Sequence, residues 1–234
     1  VTGAAGGPPA PATVAAALAA VHQRIRHAGG DPAQVRVVAV TKGFGADITQ
    51  TAVAAGLLDL GENYGSALLA KAPVAPPGVR WHHLGAVQRR QVRRLAAFVT
   101  WWHSVCRVEE GRAIAAARPG AEVFVQLEWT GAPQRRGVPP SEAGRLVDEL
   151  RAAGVQPIGL MTLGVAGDLA ATRRVFRQTA ELATSLGLTE CSMGMSGDLE
   201  AAVAEGATVV RVGQALFGPR PPKVPPLRGP AAVT

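Results

Sequence analysis

Between residues 13 and 212 the sequence alternates between short apolar runs and longer segments whose apolar residues recur at helical spacing. Runs such as 35–40, 122–127 and 207–212 lack the in-out alternation of a strand with one wet face. A strand that is apolar on both faces must be covered on both, and parallel pairing beneath crossover helices is the arrangement that does so. No other feature of the chain restricts the fold as strongly.

The first helix fits 13–28, with Val14, Leu18, Val21 and Ile25 on one face and Gly29 and Gly30 ending it. Strands fit 35–40, 57–61, 81–84, 98–103, 122–127, 156–161, 189–193 and 207–212. Helices near 46–55, 64–72, 87–97, 107–117, 141–153, 169–186 and 197–205 separate them. Asp168 is expected to cap the longest helix, with Gly187 just past its end. Eight strand–helix units in roughly 200 residues predict an α/β fold, a closed (β/α)8 TIM-type barrel. An open doubly wound sheet is the structural alternative. The barrel is assigned to 12–218, between a flexible Gly/Pro/Ala-rich tail at 1–11 and a Pro-rich tail at 219–234.

Apolar residues make up 47% and charged residues 18% of the chain, which permits a large core and argues against global disorder. No apolar run approaches the roughly 18–20 residues needed to span a bilayer. The start shows no basic region followed by an apolar one, and Cys106 and Cys191 form neither a disulfide framework nor a CxxC pair. The expected location is cytoplasmic. A net charge of +7 invites a nucleic-acid reading. However, 21 of the 24 basic residues are arginines spread along the chain, beside abundant Ala, Gly and Pro. The densest group, Arg89, Arg90, Arg93 and Arg94, reads as a solvated helix face, so nucleic acid is set aside as a partner.

Three elements carry candidate chemistry. Lys42 follows the apolar run 37–41, which puts its amine at the carboxyl end of strand one, where barrel active sites form. A lysine beside apolar walls can attack an aldehyde, although a surface lysine ending a strand is the plainer reading. Gly194-Met195-Ser196-Gly197-Asp198 follows strand seven and opens a helix. Free N–H groups there, with the Ser196 hydroxyl, suit a phosphate, and an ordinary Ser-capped helix start is the alternative. Arg211-Val212-Gly213-Gln214 ends strand eight. Arg211 there either meets a ligand anion or ring, or makes a structural ion pair at the barrel mouth. Barrel phosphate sites use the loops after strands seven and eight, and closure places strand eight beside strand one. A ligand with an aldehyde and a phosphate, such as pyridoxal 5'-phosphate, suits that corner.

The segments VVAVTKGF (37–44), LGENYGSALLAK (60–71), VRWHHLG (79–85), HSVCR (103–107), IGLMTLG (158–164) and GMSGDLEAAVAEGATVVRVGQALFG (194–218) occur in this order. On these segments the chain resembles the YggS/PROSC family of pyridoxal phosphate homeostasis proteins. The resemblance implies a modified barrel similar to the cofactor domain of alanine racemase, the fold-type-III cofactor fold. It implies cofactor held as a Schiff base on Lys42, phosphate-binding positions at Met195, Ser196, Arg211 and Gly213, and a pocket-lining Asn63. Three departures touch the barrel mouth: Val87-Gln88-Arg89-Arg90-Gln91 where the family has LQxNK, Cys106 in place of an acid, and Gln214 in place of a threonine.

The resemblance further implies intracellular pyridoxal phosphate homeostasis without established turnover, with pyridoxal-phosphate-dependent apoenzymes as partners and a monomer or weak dimer. The alternative is a pyridoxal-phosphate-dependent amino-acid racemase. That reaction needs a second base opposite the lysine, which the resembling racemases take from a separate C-terminal domain. With a Pro-rich stretch directly after strand eight, such a domain is expected to be absent. His82, His83 and His103 lack the partner spacing of a metal site, and no metal is expected. Trp81, Trp101 and Trp102 are read as packing, Tyr64 as packing above strand two, and 164–168 as a turn before the Asp168 cap.

Overall fold

The computed structural model describes residues 7–131 and 135–219. The tail assignments for 1–6 and 220–234 lie outside the described residues. Eight parallel strands close into a barrel in sequence order: β1 (Arg36–Val40), β2 (Asp59–Glu62), β3 (Arg80–His83), β4 (Val99–Val105), β5 (Glu122–Gln126), β6 (Gln156–Met161), β7 (Glu190–Ser192) and β8 (Val209–Val212). Closure is the pairing of β1 with β8, in which Arg36, Val37, Val38 and Ala39 face Val209, Val210, Arg211 and Val212.

Helix α1 (Pro11–His27) precedes the barrel. The crossovers are α2 (Ile48–Ala54), α3 (Gly65–Lys71), α4 (Arg89–Leu95), α5 (Val108–Ala117), α6 (Ala143–Ala152), α7 (Leu169–Ser185) and α8 (Leu199–Ala204), and α9 (Gln214–Phe217) follows β8. The main core lies between strands and helices. Val14, Val21 and Ile25 of α1, Leu146 and Leu150 of α6, and Phe176 of α7 bury their apolar stripes against outward strand residues such as Val37 and Ala39. A second, smaller cluster of Val38, Trp101, Phe124, Met161 and Val209 comes from the alternate strand positions. Among the described residues no helix is long and apolar enough to cross a membrane. Arg89, Arg90, Arg93 and Arg94 are exposed, as a solvated face requires.

Most boundaries shift by a few residues from the sequence expectation, and three differences have a clear local reason. Helix α1 begins at Pro11, inside the segment assigned to the tail, because proline at N1 carries a pre-set helical φ and lacks an N–H that would be unpaired there. Helix α8 begins at Leu199 instead of 197. The Asp198 carboxylate accepts from the Met195 N–H at 2.6 Å and holds 195–198 as a turn. Helix α9 was not anticipated, since four residues are too few to show a period; Leu216 and Phe217 bury it against α1. Asp168 does cap α7, accepting from the Ala171 N–H at 2.8 Å, and Gly187 past its end has a φ of +67°.

Strands β6 and β7 approach closely at Gly159. A Cβ on Gly159 would stand 2.1 Å from the Glu190 carbonyl oxygen, so no side chain fits without separating the strands. Gly159→Ala is expected to cost about 1–3 kcal/mol, the usual penalty of forced overpacking, read as a lower urea midpoint. An unchanged midpoint would show that the β6–β7 spacing is not constrained at this position.

Candidate functional site

The carboxyl ends of the strands surround a cavity of about 880 Å³. Its wall includes all six residues singled out from the sequence: Lys42, Asn63, Met195, Ser196, Arg211 and Gly213.

Lys42 leaves β1 beside a buried polar clamp. The Thr41 N–H donates to the Gly61 carbonyl at 3.0 Å, continuing the ladder to β2. The Thr41 carbonyl accepts from the Lys71 ammonium at 2.8 Å, and the Thr41 hydroxyl donates to the Glu62 carboxylate at 2.8 Å. Lys71 also pairs with Glu62, and both are buried. The peptide group immediately before Lys42 is thereby fixed. Asn63 follows Glu62, and its carbonyl oxygen lies only 1.8 Å from where a Cβ on Gly85 would be. Glycine at 85 is what lets the loop after β3 approach Asn63.

The loop after β7 turns at Gly194, whose φ is +90°. Its far side is held by Arg24 of α1, which donates to the Ser196 carbonyl at 3.0 Å and pairs with Glu200 at 2.6 Å. Ser196 does not cap α8. Its hydroxyl oxygen accepts from the Ala215 N–H at 3.2 Å and ties this loop to the start of α9. Gly213 sits where a Cβ would be 3.2 Å from the Val40 carbonyl, so β8 and β1 run close together beneath the cavity.

Arg211 is buried, with 5% of its surface exposed. It donates to the Ser192 hydroxyl oxygen at 2.8 Å and to the Thr162 carbonyl at 2.9 Å. Burial lowers its pKa to about 10, so it stays charged at neutral pH. Among the described residues it makes no salt bridge, so the structural ion pair offered as its alternative role is not observed.

Sequence reasoning missed Ser104, Gln126 and Thr162, which also line the cavity. Each lies at or near a strand's carboxyl end, and that position was the available signal. Tyr64, expected to pack above strand two, is 68% exposed. The start of α3 instead packs through Gly65, where a Cβ would meet Gln91 at 2.2 Å and Leu95 at 2.9 Å. Trp81 and Trp102 belong to the main core and Trp101 to the inner cluster. His82 and His103 are hydrogen-bonded to each other, and no group of three or more metal-ligating side chains occurs among the described residues. Of the three departures at the mouth, only Gln214 reaches the cavity wall. The Cys106 thiol is pushed up to about 11 by burial and by the neighbouring Glu110, which makes it a poor nucleophile.

Residues 15–221 match the family described as alanine racemase, N-terminal domain, which sets the class of barrel. Two curated relatives are similar along nearly their whole length. The pyridoxal phosphate homeostasis protein of Deinococcus radiodurans is 41% identical over 88% of this chain and 99% of its own. That of Pseudomonas aeruginosa is 39% identical over 89% of this chain and 96% of its own. The chain belongs to the family of pyridoxal phosphate homeostasis proteins. Among solved structures, PipY of Synechococcus elongatus superposes with a TM-score of 0.80 without pyridoxal phosphate and 0.78 with it bound. It is 31% and 30% identical in the two forms, over 88% of this chain and all of its own.

The clamp before Lys42 yields a stability test. Lys71→Met leaves the buried Glu62 charge without its cation and is expected to cost about 3–5 kcal/mol in urea unfolding. Adding Glu62→Gln removes the stranded charge and should restore more than half of that loss. If the double variant is no more stable than the single one, the pair is not the source of the cost.

Proposed function

We propose that this chain binds pyridoxal 5'-phosphate covalently through Lys42 and serves cofactor homeostasis as a carrier. The observation that carries the reading is the convergence of a lysine amine, the buried Arg211 guanidinium and the Ser196–Gly197 loop on one cavity. These groups match the ligand: an amine for its aldehyde, a fixed cation, and hydroxyl and backbone donors for its phosphate. A cavity of about 880 Å³ accommodates a ligand of this size. The names of the relatives and the bound form of PipY support the same assignment.

When bound, the cofactor supplies an aldehyde that condenses with amines. Lys42 holds that group, Met195, Ser196 and Gly213 hold the phosphate, Arg211 holds negative charge on the ligand, and Asn63 borders it. Released cofactor would pass to pyridoxal-phosphate-dependent apoenzymes in the cytoplasm, from a monomer or weak dimer. The carrier reading is favoured over the racemase by the cavity wall. Among the described lining residues there is no His, Tyr or Cys to serve as a base opposite Lys42. The one carboxylate in the wall, Glu128, is engaged by the N–H groups of Thr130 and Gly131.

The purified protein loaded with pyridoxal 5'-phosphate should absorb in the visible, and borohydride should trap the label on the peptide containing Lys42. Lys42→Ala should abolish trapping with the far-ultraviolet dichroism unchanged. Ser196→Ala and Arg211→Ala should each lose about 1.5–3 kcal/mol of binding, roughly tenfold or more in affinity. Label persisting on another lysine in Lys42→Ala would overturn the attachment site. Interconversion of alanine enantiomers at about 1 per second or faster would overturn the carrier reading.

A further inference from the structure

The barrel interior holds a continuous polar chain across five strands. Arg211 on β8 donates to the Ser192 hydroxyl oxygen on β7 at 2.8 Å. That hydroxyl lies 2.8 Å from Nδ1 of His103 on β4. Nε2 of His103 lies 3.0 Å from Nδ1 of His82 on β3, and Nε2 of His82 lies 3.0 Å from the Asp59 carboxylate on β2. His82, His103 and Ser192 are buried to within 1%. At the far end Asp59 also takes both Arg80, through two bonds, and Arg36.

Hydrogen-bonding capacity fixes the direction of every link. A guanidinium only donates, so the Ser192 oxygen accepts from Arg211. The single Ser192 proton is then free to go to His103 Nδ1, which leaves the proton of a neutral His103 on Nε2. His82 Nδ1 must accept that proton, which leaves its own on Nε2, pointing at Asp59. The reverse arrangement strands the Ser192 proton and sets a bare His82 nitrogen against a carboxylate unless His82 is charged. Burial opposes that charge, and so do Arg36 and Arg80, although Asp59 favours it. His103 faces His82, His83 and Arg211, and all three oppose a charge there, as does its complete burial.

We infer that Ser192, His103, His82 and Asp59 form a one-way chain of hydrogen bonds, running from the guanidinium to the Asp59 carboxylate, that positions Arg211 at the ligand cavity. The Asp198 carboxylate favours the Arg211 charge through space without forming a salt bridge, so the hydrogen bonds that hold the guanidinium come from the chain and from Thr162. The chain ends at the first residue of β2, whereas Arg211 lines the cavity. Two of the five guanidinium N–H groups are occupied by protein acceptors, which fixes its plane and leaves donors for a ligand. The four residues are positioning residues, none of them in the cavity wall. The role assigned to them in ligand binding rests on the proposed cofactor site.

Nitrogen-15 spectra of the ligand-free protein, labelled at histidine, test the chain whatever the ligand is. His82 and His103 should both be neutral at pH 7, with the proton on Nε2. A proton on Nδ1 of either ring, or a charged ring at pH 7, overturns the proposal. Ser192→Ala removes one link without touching the cavity wall. It should weaken pyridoxal 5'-phosphate binding about tenfold and shift the His103 signals while leaving those of His83 in place. Full affinity in Ser192→Ala, in a protein that still traps the label on Lys42, sinks the chain and spares the cofactor site. If the unaltered protein traps no cofactor, the site reading fails, and the ring tautomers still decide the chain.

Discussion

The pairing of β1 with β8 is the contact on which the site depends. Lys42 and Gly213 are far apart in sequence, and the ladder from Arg36–Val209 to Ala39–Val212 sets them side by side at one rim. The fit is close, because the Val40 carbonyl stands 3.2 Å from where Gly213 would carry a Cβ. The helices depend on the same closure. Helix α1 packs on α8 and α9 across the seam, and Arg24 reaches from it to brace the loop that carries Ser196. Without that ladder there would be eight strand–helix units and no common mouth.

Closure also creates an interior that has to be filled, and this chain fills it unequally. Val38, Trp101, Phe124, Met161 and Val209 form an apolar layer, and beside them run Asp59, His82, His103, Ser192 and Arg211. Burying polar groups in a low-dielectric space is costly unless each finds a partner. The ring nitrogens of His82 and His103 both do, and His103 stacks on Phe124 at 4.4 Å with nearly parallel rings. Residues that a hydropathy count would call misplaced are thus part of the frame that orients the cavity.

The fold was legible because a parallel strand buried on both faces announces itself as an unbroken apolar run, and the intervening glycines mark where helices stop. The site was legible to the extent that it follows from position: Lys42 after β1, the 194–198 loop after β7, Arg211 ending β8. What sequence could not yield were links set by three-dimensional register. Nothing in the spacing of Asp59, His82, His103 and Ser192 says that they touch, since each comes from a different strand. The hydrogen-bond partner of Ser196 was hidden for a related reason. Cap propensity is local, whereas its partner, the Ala215 N–H, arrives from the far side of β8. Tyr64 went astray similarly, because the glycine beside it makes the contact expected of the ring.

The bracing of the 194–198 loop has a consequence for the order of events during synthesis. Its supports are separated by the whole barrel: Arg24 lies in α1, before β1, and Ala215 lies in α9, after β8. A growing polypeptide that has already formed its first six strands therefore carries Lys42 on an unfinished rim, without the loop or the arginine that would surround a ligand. Contacts spanning so much sequence are slow to close. The cavity wall is complete only once β8 has docked against β1, because Arg211 and Gly213 arrive with that strand and its end.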